Sequence, residues 1–124
     1  NKFSEFICKN EFVKINNTEN NYFKKIKKNV LELHIAHNEG NYFCSNIQMK
    51  EIEDNNQIAL SYCDKNGEIN EKYNPNGSSK NIAAILNKEK NILGMMPHPE
   101  RMIDKYLSGD DGVIFFENLL NNLK

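Results

Sequence analysis

The sequence predicts a domain that mixes β-strands with α-helices, and two observations carry this prediction. Short aliphatic stretches separated by polar turns recur along the chain, which is typical of strands. One segment near the C-terminal end shows the apolar spacing of a helix packed on a sheet. A strand-rich chain with one strong terminal helix indicates an α/β or α+β fold.

Extended structure dominates the predicted first half. Apolar residues among polar neighbours favour extended structure over residues 3–15, with a turn near residues 9–11. A polar loop is predicted at 16–21. The aliphatic residues of 30–36 then predict a strand that runs into a second polar loop at 37–41.

Three more strands are predicted in the second half, over residues 57–63, 82–86 and 91–96. A turn at 64–67 should end the first of them, because Asn-Gly supplies the positive φ that tight turns need. Residues 87–90 are expected to form a tight connection between the last two strands.

Two helices complete the prediction. A short helix is expected over residues 47–54, where helical spacing relates Ile47, Lys50, Glu51 and Asp54. A longer helix should begin at residues 110–112, since early acidic residues suit a helix N-terminus. The apolar stripe expected to face the sheet is Val113, Phe116, Leu119, Leu120 and Leu123.

Length and charge limit the function classes. The 124 residues allow one domain, and a formal net charge of −1 removes the case for nucleic-acid binding through bulk electrostatics. The basic run Lys24, Lys25, Lys27 and Lys28 is therefore expected to be a solvated face. The longest apolar run, residues 82–86, falls far short of the roughly 20 residues that cross a bilayer. The start shows no signal-peptide core, and an odd number of widely spaced cysteines indicates a cytoplasmic protein.

Composition and the first residue raise three further points. The hydrophobic fraction is 39% and the mean hydropathy is −0.71, so either the 22 Asn residues dilute the index or part of the core lies outside this sequence. The first residue is not Met, so we expect that the sequence upstream of it is absent here. The chain has 15 Lys and a single Arg, Arg101, which suggests a position that needs the planar, bidentate guanidinium.

The three cysteines, Cys8, Cys44 and Cys63, form no paired motif. Buried small hydrophobic residues are the expected role for each. No cysteine lies in a Gly-flanked strand-to-helix turn, and no serine lies in a Gly-x-Ser-x-Gly elbow, so we find no candidate nucleophile.

A candidate base and its orienting carboxylate lie in the segment Met-Pro-His-Pro-Glu-Arg, residues 96–101. Prolines restrict the preceding residues to extended conformation, so a stiff extended run is predicted in which His98 and Glu100 share a face. A carboxylate beside an imidazole holds its tautomer and stabilises its protonated form. The spacing alone is equally compatible with a surface turn.

A metal site is not expected at His34 and His37. Residues three apart on a strand point to opposite faces, and no second ligand cluster has zinc-site spacing.

Three segments together resemble one family. They are IAHNEGNY at 35–42, NPNGS at 74–78 and GMMPHPER at 94–101. In this order and spacing they are similar to the glutaminase (glutamine amidotransferase) subunits of phosphoribosylformylglycinamidine synthase, an enzyme of purine biosynthesis. Nearly all 124 residues resemble the C-terminal half of that family's single domain.

The resemblance implies an α/β class I (triad) amidotransferase fold: an open, mostly parallel sheet with added antiparallel strands and a terminal helix. It also implies a Cys-His-Glu site in which His98 is the general base and acid and Glu100 orients it. The nucleophilic Cys would come from the N-terminal half, while Cys8 matches a non-catalytic position. Residues 1–124 alone are therefore expected to be inactive.

The same resemblance implies that His37, Asn38 and Glu39 approach the glutamine substrate. Asn38 and Ala84 each replace a glycine of the family pattern. No cofactor or metal is implied for this chain, whereas ATP and magnesium are implied for a partner synthetase large subunit. A small accessory subunit is a further candidate partner.

Two alternatives stay open at this point. The chain is either the His-Glu half of a glutaminase or a non-catalytic remnant that docks on a synthetase. Residues 74–78 are either a turn needed for folding or a synthetase contact.

Overall fold

A computed structural model describes residues 7–20, 22–37, 41–104 and 109–122. The described strands form one five-stranded sheet in the order β2-β1-β3-β4-β5, and every neighbouring pair is antiparallel. The elements are β1 (Ile7–Ile15), β2 (Val30–His37), α1 (Asn46–Asp54), β3 (Ile58–Cys63), β4 (Ile82–Leu86), β5 (Leu93–Met95) and α2 (Asp111–Asn122), with 3₁₀ turns at Glu71–Tyr73, Ser79–Asn81 and Pro99–Arg101.

The α/β class predicted from the sequence is confirmed. The predicted parallel strands are not among the described residues, where every neighbouring pair of strands is antiparallel. All five predicted strands are present, although β5 is shorter than expected. The turn after β3 is also confirmed, with Gly67 at φ 86°.

The turn predicted near residues 9–11 is wrong. These residues continue β1, where Lys9 pairs with Ile35, Asn10 with His34 and Glu11 with Leu33. Lys9 and Glu11 lie on one face of the strand and form an ion pair of 2.7 Å. A polar segment that resembled a turn is therefore a strand, because pairing with β2 satisfies its backbone groups.

The core lies between the sheet and α2. Alternate residues of β2 and Val13 of β1 are fully buried and belong to the same core cluster as Phe23 and Phe115, whose ring centroids are 5.8 Å apart. Asp111, the first residue of α2, joins this helix to β2: its carboxylate accepts the Glu32 backbone N–H at 2.7 Å and forms an ion pair with Lys28 at 2.8 Å. Lys28 of the basic run thus has a structural partner.

The face that α2 buries differs from the prediction. Gly112, Phe115 and Asn118 are its buried positions, whereas Leu120, expected in the stripe, is 60% exposed. Asn118 accepts the backbone N–H of Lys25 at 2.7 Å, so a polar residue occupies the buried face because it satisfies a neighbouring loop. The remaining predicted positions Val113, Phe116 and Leu119 are half-buried, and Leu123 lies outside the described residues.

The helix predicted over 47–54 is confirmed as α1, and the four residues on which the prediction rested lie on its exposed face. Ser45 and Gln48 form a capping box, and Met49 and Ile52 are the buried residues. Ile47 is 84% exposed. Burial of Met49 and Ile52 decides the orientation of the helix.

The NPNGS loop at 74–78 is held by its own side chains. Asn76 is fully buried, and its Oδ1 accepts the Ser78 N–H at 3.1 Å and the Ser78 hydroxyl at 2.8 Å. Asn74 Oδ1 accepts the N–H of Asn76 and, at 2.8 Å, of Gly77. Ser78 Oγ accepts the Tyr42 N–H at 2.9 Å, which ties the loop to the segment after β2. Of the two interpretations left open by the sequence, these contacts favour a folding role.

We expect Asn76→Ala to lower the free energy of unfolding by about 2 kcal/mol, because it leaves two Ser78 donors without their acceptor in a buried site. Urea unfolding followed by circular dichroism measures this change. Asn66→Ala, at an exposed turn position, is the matched control and should change stability by less than about 0.5 kcal/mol. Equal effects of the two substitutions would contradict the folding role.

Candidate active site

The His98 and Glu100 side chains meet in the structure. His98 Nδ1 lies 2.7 Å from Glu100 Oε1, directly after the short edge strand β5. His98 has extended backbone angles, as the prolines predict, with φ −108° and ψ 91°. The extended run predicted through Glu100 is nevertheless wrong, since residues 99–101 form a 3₁₀ turn. Pro99 can begin such a turn because its fixed φ suits a first helical position.

Backbone hydrogen bonds hold this segment on both sides. The Met96 N–H donates to the Ala83 carbonyl at 3.0 Å, and the His98 N–H donates to the His34 carbonyl at 2.7 Å. The Met102 N–H closes the turn on the Pro99 carbonyl, also at 3.0 Å. His98 therefore stands on a rigid junction between β4 and β2, which limits the motion of its imidazole.

The electrostatics favour an ionised carboxylate beside the imidazole. Burial acts to raise the pKa of Glu100, but hydrogen bonds from its own backbone N–H and from His98, together with the charges of His98 and Arg101, outweigh burial and lower it. Because Nδ1 is bound to this carboxylate, proton exchange with a reacting group would pass through Nε2. The pair can thus act as a general base with its orienting acid.

His34 is a neighbour of this site that the sequence analysis considered only as a metal ligand and rejected in that role. Burial, followed by the charges of Arg101 and His98, lowers the pKa of His34. Its pairing with His98 across an isolated bridge was not visible in the sequence, because 64 positions separate the two residues. The sequence feature that could have pointed to His34 is its place on a predicted strand just before the loop at 37–41, which was itself a candidate part of the site.

The candidate substrate residues are only partly located. The backbone of His37 ends β2, about 10 Å along the strand from the His34 position that pairs with His98. Asn38 and Glu39 lie outside the described residues. Their approach to glutamine stays a prediction.

The cysteines differ from one another in burial. Cys63 is buried as expected, and burial, with Asp64 beside it, raises the pKa of its thiol to about 11. Cys44 is half-buried and Cys8 is exposed, so the expectation of three buried thiols is wrong for Cys8. Cys8 lies in the part of β1 that pairs with β2 and not with β3, and its side chain is exposed.

The described residues contain neither a cluster of metal ligands nor a membrane-spanning helix. No three His, Cys, Asp or Glu side chains come together there to hold a metal ion. No helix in the described ranges is long and apolar enough to cross a membrane.

A match to the CobB/CobQ-like glutamine amidotransferase domain covers residues 1–109, which include the whole His98–Glu100 segment. The chain belongs to this amidotransferase family. The resemblance seen in its motifs is thereby confirmed at the level of the family.

Relatives of this amidotransferase chain narrow the similarity. It is 72% identical over 124 residues to "Phosphoribosylformylglycinamidine synthase subunit PurQ" of Pelagibacter ubique, covering all of this chain and 55% of the relative. The protein of the same name from Aquifex aeolicus is 41% identical over 118 residues, which are 94% of this chain and 52% of the relative. The chain therefore spans about half the length of the curated relatives it matches.

A solved structure shows the same fold. A chain in "Structure of PurLQS from Thermotoga maritima" superposes with a TM-score of 0.79 at 30% sequence identity, covering all of this chain and 51% of the other. This similarity assigns the described antiparallel sheet and terminal helix to a class I amidotransferase fold.

Arg101 is expected to matter more for activity than for stability. Its charge lowers the pKa of both Glu100 and His34, and its backbone N–H donates to the His98 carbonyl at 3.2 Å. In a protein that joins these residues to the rest of the amidotransferase domain, we expect Arg101→Lys to reduce the catalytic rate about tenfold, because a lysine cannot reproduce the planar guanidinium, and to change the free energy of unfolding by less than about 0.5 kcal/mol. Steady-state kinetics and urea unfolding measure the two effects. Lys88→Arg, at an exposed site, is the control, and an unchanged rate in Arg101→Lys would contradict the prediction.

Proposed function

We propose that this chain supplies the His-Glu part of a Cys-His-Glu triad in the glutaminase component of phosphoribosylformylglycinamidine synthase. The observation that carries the proposal is the 2.7 Å contact of His98 Nδ1 with Glu100 on a turn held between β4 and β2. The named relatives and their family support the reaction class.

The proposed reaction begins with a cysteine thiolate from outside these 124 residues. It attacks the side-chain amide carbon of glutamine and forms a tetrahedral intermediate. His98 donates its proton to the departing nitrogen, so ammonia leaves and a glutamyl thioester forms. His98 then takes a proton from water, which attacks the thioester and releases glutamate. Glu100 holds the proton on Nδ1, which orients the imidazole so that Nε2 can exchange protons, and it stabilises the imidazolium.

The ammonia would serve a synthetase large subunit that uses ATP and magnesium to amidate formylglycinamide ribonucleotide. The solved relative is named as part of a PurLQS assembly, which supports a multisubunit partner for this chain. We further propose that His37, Asn38 and Glu39 contribute to the glutamine site and that the protein acts in the cytoplasm.

A chimera tests the proposal. In it, these 124 residues replace the matching region of the Pelagibacter ubique relative, and the product is assayed with the synthetase subunits of that organism for glutamine-dependent amidation. We expect activity from the chimera and none from the isolated chain, in which the proposed nucleophilic cysteine is absent. Robust glutamine hydrolysis by the isolated chain that is lost on changing Cys8, Cys44 or Cys63 would refute the proposal.

A non-catalytic docking module is the second candidate. Phe43 and Ile47 are 82% and 84% exposed, and such apolar side chains are typical of contact surfaces. The two candidates differ in what they require of His98. A docking module keeps its function in the chimera after His98 is replaced, whereas a glutaminase does not.

A further inference from the structure

A thiol, an imidazole and an amide lie together on one face of the β1–β2 pair. Asn10 pairs with His34 in the register of the two strands, and Cys8 lies two residues before Asn10, so the three side chains point to the same side. Cys8 Sγ is 3.2 Å from His34 Nε2, and His34 Nδ1 is 2.9 Å from Asn10 Oδ1.

The amide determines which imidazole nitrogen carries the proton. Asn10 Nδ2 donates to Glu32 Oε1 at 3.5 Å, which turns its Oδ1 toward His34. Since Oδ1 can only accept, His34 Nδ1 is the protonated nitrogen and Nε2 presents its lone pair to the Cys8 thiol. This is the order of groups that activates a cysteine: thiol, base and orienting acceptor.

The geometry places an acceptor beside the thiol. Burial and the charges of Arg101 and His98 lower the pKa of His34, so its imidazole is neutral near pH 7 and Nε2 can accept the hydrogen bond of the Cys8 thiol. Cys8 is exposed, so a small reagent can reach its sulfur. Cys63, in contrast, is buried.

We propose that Cys8, His34 and Asn10 form a second nucleophilic site, separate from the His98–Glu100 pair, that reacts with hydroperoxides. His34 takes the thiol proton, and the thiolate attacks one peroxide oxygen, so an S–O bond forms as the O–O bond breaks. His34 returns the proton to the departing oxygen, which leaves as water or an alcohol. The sulfur is oxidised by two electrons to a sulfenic acid, and the peroxide is reduced.

A backbone hydrogen bond connects this site to His98, so oxidation of Cys8 would also affect the position of His98. The backbone carbonyl of His34 accepts the His98 N–H at 2.7 Å. His34 therefore contacts Cys8 through its side chain and the proposed catalytic histidine, His98, through its backbone. The reactivity of Cys8 itself needs no glutamine and no nucleophile from elsewhere. Its test is therefore independent of the proposed function.

The test measures thiol oxidation in the intact 124-residue chain. The chain is treated with hydrogen peroxide near pH 7 in the presence of dimedone, and labelling of each cysteine is followed by mass spectrometry. We expect Cys8 to be labelled at least about tenfold faster than Cys44, for which the described residues show no hydrogen bond to an imidazole. In concentrated urea, where no base is positioned, the two rates should converge.

Two variants separate chemistry from exposure. His34→Gln keeps a polar side chain but removes the base, and Asn10→Ala leaves thiol and base in place but removes the orienting acceptor. We expect both to lower the Cys8 rate toward the urea value, with the larger drop in His34→Gln, while Cys44 labelling stays unchanged. A Cys8 rate equal to that of Cys44 in the folded chain would overturn the proposal. So would a folded His34→Gln variant, verified by circular dichroism, that reacts as fast as the parent.

Discussion

His98→Gln in the chimera should lower glutamine-dependent amidation by about 10³-fold, because general acid–base catalysis by a positioned side chain contributes roughly 10²–10⁴. Glutamine keeps a side chain of similar polarity, so the turn at residues 99–101 should persist. Initial-rate assays with glutamine and, separately, with ammonium chloride measure the effect.

The ammonia-dependent reaction is the internal control. Added ammonia bypasses glutamine hydrolysis, so its rate should stay within about twofold of the parent if the substitution touches only the proton-transfer step. Glu100→Gln should cost less than His98→Gln, since the Glu100 side chain is 56% exposed and solvent screens its charge. Full glutamine-dependent activity in His98→Gln would exclude a catalytic role and leave the docking module.

Gly112→Ala should be the most destabilising single-methyl substitution in the described part of the chain. A Cβ at this position would lie 1.8 Å from the Pro99 carbonyl oxygen and 2.8 Å from the Met102 carbonyl oxygen. The Gly112 N–H also donates to Met102 at 2.9 Å, so helix and turn cannot separate without breaking this bond. We expect a loss of at least about 3 kcal/mol of unfolding free energy, since backbone atoms cannot move aside as a flexible side chain can.

Gly94→Ala is the matched control. A Cβ there meets no atom within 4 Å, and the residue lies in the edge strand β5. The lower entropy of the unfolded chain should make this change neutral or stabilising by up to about 1 kcal/mol. Urea unfolding of both variants gives opposite signs if the account is right. Similar losses in both would show that the close packing of α2 on the turn is not what matters.

The Gly112 contact also links stability to the candidate site. The turn that α2 presses on contains Pro99 and Glu100, so the helix supports the carboxylate that orients His98. A Gly112→Ala protein that still folds should therefore lose glutamine-dependent activity as well. In the sequence this glycine looked only like part of a helix start.

Local patterns predicted much of this fold. The strands, α1 and the start of α2 follow from aliphatic runs, capping residues and turn signals that act over a few positions. The extended backbone of His98 also follows from the flanking prolines, but the contact of its side chain with Glu100 is made on a 3₁₀ turn that the sequence did not predict. A backbone conformation that depends on residues close in sequence can be predicted from the local sequence.

Errors arose where partners distant in sequence decide the outcome. β1 continues through residues 9–11 because β2 pairs with it, and α2 buries Asn118 because the loop before β2 supplies a donor for its amide. The exposed position of Cys8 beside His34 has the same origin. The local sequence around each of these residues does not indicate which distant residues will contact it.

By itself, then, the sequence determined the class of fold, the family resemblance and the choice of His98 and Glu100 as candidate site residues. Only the tertiary structure decided which helix face is buried, that residues 74–78 bond to themselves, and that Cys8, His34 and His98 converge on β2. The physical reason is that restricted dihedral angles and residue periodicity act locally, whereas burial and hydrogen-bond satisfaction depend on which distant segments come together.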